Sequence, residues 1–129
     1  MILRLLLATA LGAGIGYQRE RAGKAAGLRT HACIALSAAL FTVVSIFGFG
    51  ANADPSRVAA GVAVGVGFIG AGAILRGFRG DGGVAGLTTA ACIWVTAAIG
   101  LAAGAGLYLI AAITALIMVI VLMLPKIRG

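Results

Sequence analysis

The chain is 129 residues long, 62% hydrophobic and only 10% charged, against the quarter or so of charged residues usual in a soluble domain. So few charges cannot cover a surface facing water, and the length allows one domain, 1–129. The net charge is +7, from ten Lys/Arg set against Glu20, Asp54 and Asp81. In a soluble protein that balance would raise nucleic acid as a partner. Here the basic residues punctuate apolar runs, which excludes that reading in favour of membrane orientation and leaves the lipid bilayer as the partner.

Taken in chain order, Ile2–Tyr17 is a marginal first span, retained rather than cleaved as a signal peptide, although residues 1–10 loosely resemble one. Thr30–Gly50 and Val58–Leu75 are clear second and third spans. Leu87–Leu124 runs 38 residues without a charge, about 57 Å as one helix, nearly two membrane thicknesses. It must fold back, and the glycines at 100, 104 and 106 give the break. The expected fold is all-α and integral to the membrane, with about five transmembrane helices.

Five spans place Arg19, Arg21, Lys24, Arg29, Arg76, Arg79, Lys126 and Arg128 on one side, and only Arg4 and Arg57 on the other. The positive-inside rule then puts the N-terminus outside and the C-terminus in the cytoplasm. Asp54 before Pro55 reads as an N-cap of the third helix, with Arg57 one turn on as its cap neighbour or ion-pair partner. Thr30, and Thr88 or Thr89, are the expected caps of the second and fourth helices.

The chain repeats itself. Residues 26–40 align with 85–99, with nine of fifteen positions identical, and both segments open Ala-Gly-Leu-x-Thr. Upstream, Leu11-Gly-Ala-Gly14 resembles Ile69-Gly-Ala-Gly72. Helices one and three run the same way, so the halves form two parallel-related hairpins, followed by a fifth helix. Gly12/Gly16, Gly61/Gly65 and Gly100/Gly104 have the small-xxx-small spacing that lets helices approach closely. They serve packing within the chain; a homodimer is the second reading.

Gly65-Val-Gly67-Phe-Ile-Gly70 matches a dinucleotide fingerprint but lies inside a span, without the strand or the later acidic residue that fold needs. It is read as helix packing. Cys33 and Cys92 stand alone, with no zinc or disulfide pattern, and are read as small packing residues. Trp94 is expected to be buried opposite glycines. No nucleophile–base pair is present, so no enzyme, catalytic residue, metal site or cofactor is expected. The polar candidates are Gln18, Glu20, Arg29, Thr30, His31, Thr88 and Thr89. Gln18 can hydrogen-bond across helices. Glu20 either pairs with a neighbouring arginine or faces a cavity between the hairpins. Two helix N-termini on one face, joined by Arg29, favour anions, the alternative being plain capping and snorkelling.

These motifs resemble the membrane domain of the MgtC/SapB family. The likeness rests on Gly16-Tyr-Gln-Arg-Glu-Arg21, Ala26-Gly-Leu-Arg-Thr-His31, Asp54-Pro-Ser-Arg57, Gly65-Val-Gly-Phe-Ile-Gly-Ala-Gly72 and Gly86-Leu-Thr-Thr-Ala-Ala91 with Trp94. The family pattern has Glu where Gln18 stands and Gln where Gly61 stands, and some members carry a C-terminal soluble domain, absent from this sequence. The resemblance implies a bacterial inner-membrane protein linked to magnesium homeostasis, acid stress and intracellular survival (virulence). It also implies modulation of membrane partners such as the ATP synthase. The alternative is a Mg²⁺, proton or small-anion conduit with a cytoplasmic mouth between the hairpins. Mg²⁺ favours carboxylate oxygens, and no span interior contains one, so the binding module is preferred.

Overall fold

In the computed structural model, residues 1–77 and 86–124 are described, apart from the side chains of residues 76 and 77. Arg79, Asp81, Ala85, Lys126 and Arg128, used in the charge count or the repeat, lie outside them, as does the Arg76 side chain. The described residues form five helices: α1 (Ile2–Arg21), α2 (Leu28–Phe47), α3 (Ser56–Gly77), α4 (Leu87–Gly104) and α5 (Tyr108–Leu122). By length and composition α2, α3 and α4 can each cross a membrane, and α5 is a shorter apolar helix. α1 is long enough, but it carries Arg4 and ends in Arg19-Glu20-Arg21.

Residue size is sorted inside out relative to a soluble bundle. The core is largely alanine: Ala8, Ala35, Ala39, Ala103 and Ala111 are almost wholly buried, whereas Phe41, Phe68, Trp94, Leu109 and Leu116 face outward. Lipid is as apolar as a leucine side chain, so hiding large residues gains little there. What holds the helices together is close contact between small ones. Trp94 is therefore not the buried filler expected from the sequence; it is 61% exposed. The buried face of α4 runs through Thr89, Cys92, Ile93, Thr96, Gly100 and Ala103, and Trp94 falls off that stripe.

Packing centres on α4, which touches all four other helices; α1 and α2 form a closely packed hairpin, and α2 touches α3 least. The glycines divide accordingly. A Cβ on Gly12 would sit 2.6 Å from the His31 carbonyl oxygen, and one on Gly16 would sit 2.6 Å from Leu28 Cα. On α4, Cβ atoms at Gly100 and Gly104 would lie 2.8 and 2.9 Å from Ala35 Cα and Ala39 Cα. Gly61 and Gly65 have nothing within 4 Å, so this pair does not pack helices within the chain.

The repeat is visible in the contacts. α2 and α4 begin at equivalent residues, Leu28 and Leu87. Gly12 of α1 approaches His31 of α2, and Gly70 of α3 approaches Ala90 of α4, the residue equivalent to His31. The break in the long apolar run falls where expected. Leu107 N–H reaches the Ala102 carbonyl and Gly106 N–H the Ala103 carbonyl, a Schellman cap with Gly106 at φ +88°. Gly23 at φ +75° ends α1 in the same way, through Lys24 N–H to Arg19 O and Gly23 N–H to Glu20 O.

Candidate functional site

At one end of the bundle α1 finishes and α2 and α4 begin; Arg19, Arg21, Lys24 and Arg29 gather there, and we call it the basic end. α1 stays helical to Arg21, so Ala8, Gly12, Ile15, Gly16 and Arg19 fall on one buried face. Arg19 is thereby carried inward and is only 4% exposed. Its Nη2 donates to Thr89 Oγ1 on α4 at 3.0 Å. The guanidinium also lies at the C-terminal end of α1, where the helix dipole favours a cation.

His31 is fully buried beside it on α2. Its Nδ1 lies 3.0 Å from the Gly27 carbonyl, which can only accept, so Nδ1 carries the proton. Among the described residues, buried His31 Nε2, Arg19 Nε and Gln18 Oε1 have no hydrogen-bond partner. An ionisable side chain held inside a membrane bundle is by default a candidate functional position.

Several expectations are corrected here. Neither Thr30 nor Thr88 or Thr89 caps its helix: the N-caps are Gly27 and Gly86, which have no side chain to bond the first turn. The helices start earlier than expected, leaving each threonine inside the first turn. The free N–H of Leu28 is instead bound from α1 by Glu20 Oε1 at 3.2 Å. Glu20 thus serves neither of its expected roles, because it closes the α1–α2 turn. Among the described residues Gln18 makes no bond across helices through its Oε1. Arg29, Thr30 and Thr88 are exposed, so of the expected site His31 and Thr89 are the residues brought to Arg19, with Gln18 partly buried beside it in the chain. Arg19 was counted as an orienting charge, although its spacing from Gly12 and Gly16 was the signal for burial.

At the opposite end, Asp54 Oδ1 accepts from Ser56 N–H at 3.0 Å and Ser56 Oγ–H at 2.7 Å, the expected cap of α3. These two hydroxyl and amide donors hold the Asp54 carboxyl below its ordinary value. Its expected ion pair with Arg57 is not among the contacts of the described residues. Arg4 fastens this end as Arg19 fastens the other: Nη1 donates to the Gly104 carbonyl at 2.9 Å, and the guanidinium lies 5.2 Å from the Phe47 ring centre. A cavity of about 710 Å³ does lie between the hairpins, but its lining is apolar and includes none of the basic-end residues. Cys33 lines it and is exposed, which corrects its reading as a packing residue; Cys92 is buried as expected.

Apolar spans packed through glycine and alanine, with the charges at the helix ends, define a multi-pass membrane protein. The chain belongs to the MgtC family, whose profile matches residues 5–128. It is 51% identical over 114 residues to "Putative magnesium transporter YhiD" of Escherichia coli (strain K12), which covers 83% of this chain and 52% of that protein. It is similar to Protein SapB of Bacillus subtilis (strain 168), at 44% identity over 115 residues, 84% of this chain and 49% of SapB. Protein MgtC of Brucella abortus (strain 2308) is 43% identical over 112 residues, covering 86% and 45%. The chain spans about half the length of these curated relatives. No solved structure matches it.

Proposed function

We propose that the chain is a membrane-embedded binding module of a bacterial inner membrane. It acts on other membrane proteins, such as the proton-translocating ATP synthase, in magnesium homeostasis, acid stress or survival inside host cells. The observation that carries this reading is the α1–α2–α4 interface. Gly12, Gly16, Gly100 and Gly104 bring backbones together at successive levels along it. That leaves the α1–α2–α4 interface no width for a hydrated ion, while large apolar side chains cover the outside. The chemistry of such a molecule lies in what it touches laterally and at its basic end.

A second reading, a conduit for Mg²⁺, protons or a small anion, is favoured by the buried polar atoms of Gln18, Arg19 and His31 and by the name of the E. coli relative. The purified chain in proteoliposomes, alone and with ATP synthase, separates the two. Silent vesicles together with a changed rate of ATP-driven proton pumping are expected. Magnesium or proton flux that Arg19→Met abolishes would overturn the binding-module reading.

A further inference from the structure

α3 stands away from α2 and leaves a groove between them, lined by Ser37 and Phe41 on one wall and Gly61, Gly65 and Ile69 on the other. The cavity of about 710 Å³ falls within the size range of ligand pockets. Along α3 it runs from Arg57 to Ile69, twelve residues, or about 18 Å at the helical rise. One leaflet of a bilayer core is about 15 Å thick. Glycine at 61 and 65, where an added Cβ would meet nothing within 4 Å, gives the groove its depth. Between Phe41 of α2 and Ile69 of α3 this strip is hollow.

The groove ends in a second, more polar cavity of about 540 Å³, lined by Ser45, Asn52, Asp54 and Arg57. Arg57 and Val58 line both cavities, so the apolar trough and the polar bowl are continuous. The bowl presents one cation and one carboxylate, three residues apart at the start of α3. A guanidinium suits a phosphate, and a carboxylate suits a primary ammonium. We propose that the groove and bowl together bind one phospholipid with an ethanolamine headgroup, one acyl chain lying along Gly61 and Gly65, phosphate on Arg57 and ammonium on Asp54. The headgroup bowl lies at the opposite end from the Arg19 cluster, and the proposal stands or falls independently of the binding-module reading.

Native mass spectrometry of the detergent-purified chain, titrated with dioleoyl-phosphatidylethanolamine, tests it. The wild type is expected to retain one lipid, and Arg57→Gln to weaken retention about tenfold. Gly65→Leu should abolish it by filling the groove, whereas Gly67→Leu, on the same helix but lining neither cavity, should leave it unchanged. Asp54→Asn keeps the cap of α3, and should lose the preference for ethanolamine over glycerol headgroups. Thermal melts of each variant separate misfolding from loss of lipid. Equal retention by Gly65→Leu and wild type, or equal retention of phosphatidylglycerol by the wild type, would overturn the proposal. So would a dimer that Gly65→Leu disrupts while no lipid is retained.

Discussion

Arg19 on α1 and Thr89 on α4 are joined by a buried 3.0 Å hydrogen bond between residues 70 positions apart. That bond ties the first hairpin to the second at the basic end, and it is the main hydrogen-bonded anchor of a buried guanidinium. Among the described residues no carboxylate stands against it. Thr89→Val keeps the shape and removes the acceptor, so a charged donor is left with less compensation. The expected loss is about 1–3 kcal/mol, read as a lower unfolding midpoint in detergent. Thr89→Ser, which retains the hydroxyl, should stay close to wild type.

The glycine pairs make opposite predictions. Gly100→Ala and Gly104→Ala each drive a methyl group into the α2 backbone and should cost at least about 1–3 kcal/mol. Gly61→Ala and Gly65→Ala meet nothing and raise helix propensity, by up to roughly 1 kcal/mol. Unfolding midpoints in the same detergent should therefore fall for the first pair and hold or rise for the second.

Glu20 tests the turn between α1 and α2. Glu20→Ala removes the acceptor for Leu28 N–H and should destabilise by ~1 kcal/mol, the usual worth of a helix cap. Glu20→Gln retains a carbonyl oxygen at the same position and should recover most of it. Amide hydrogen exchange at Leu28 reads this locally: fast in the alanine variant, slow in the glutamine variant.

Asp54 gives a pH prediction of definite sign. Its folded carboxyl lies below the ordinary value, so its contribution is fully present above that value. The contribution is lost only as pH falls through the depressed value. Melts from pH 7 down to about pH 3 should show no change from this group until the acid end of the range. Asp54→Asn still caps α3 and should remove that acid-end dependence.

The gross architecture was legible because it follows from length and hydropathy. An uncharged run from Leu87 to Leu124 cannot be one span, and Gly106 ends α4 where the chain turns back. The repeat marked that α2 and α4 begin at equivalent positions, although α2 starts two residues before the expected Thr30. What the sequence hid was direction around each helix. Trp94 and Cys33 went to the wrong side because the small-residue stripe, rather than the apolar residues, marks the interior here. The Thr30 cap failed because Glu20, eight residues before Leu28, supplies the bond from another helix, a contact only the folded turn creates. Arg19 was recoverable from its spacing, but its charge argued for the surface.

The inward placement of alanine and glycine also reverses which substitutions the chain can bear. In a water-soluble protein, enlarging a surface residue is harmless and shrinking a core residue is damaging. Here a leucine is welcome almost anywhere on the outside, while a single added methyl at Gly12, Gly16, Gly100 or Gly104 is an intrusion. A saturation mutagenesis map should show its narrowest tolerance at the smallest residues. The two glycines beside the groove, Gly61 and Gly65, should stand apart from the others, intolerant of bulk only in so far as something else must fit there.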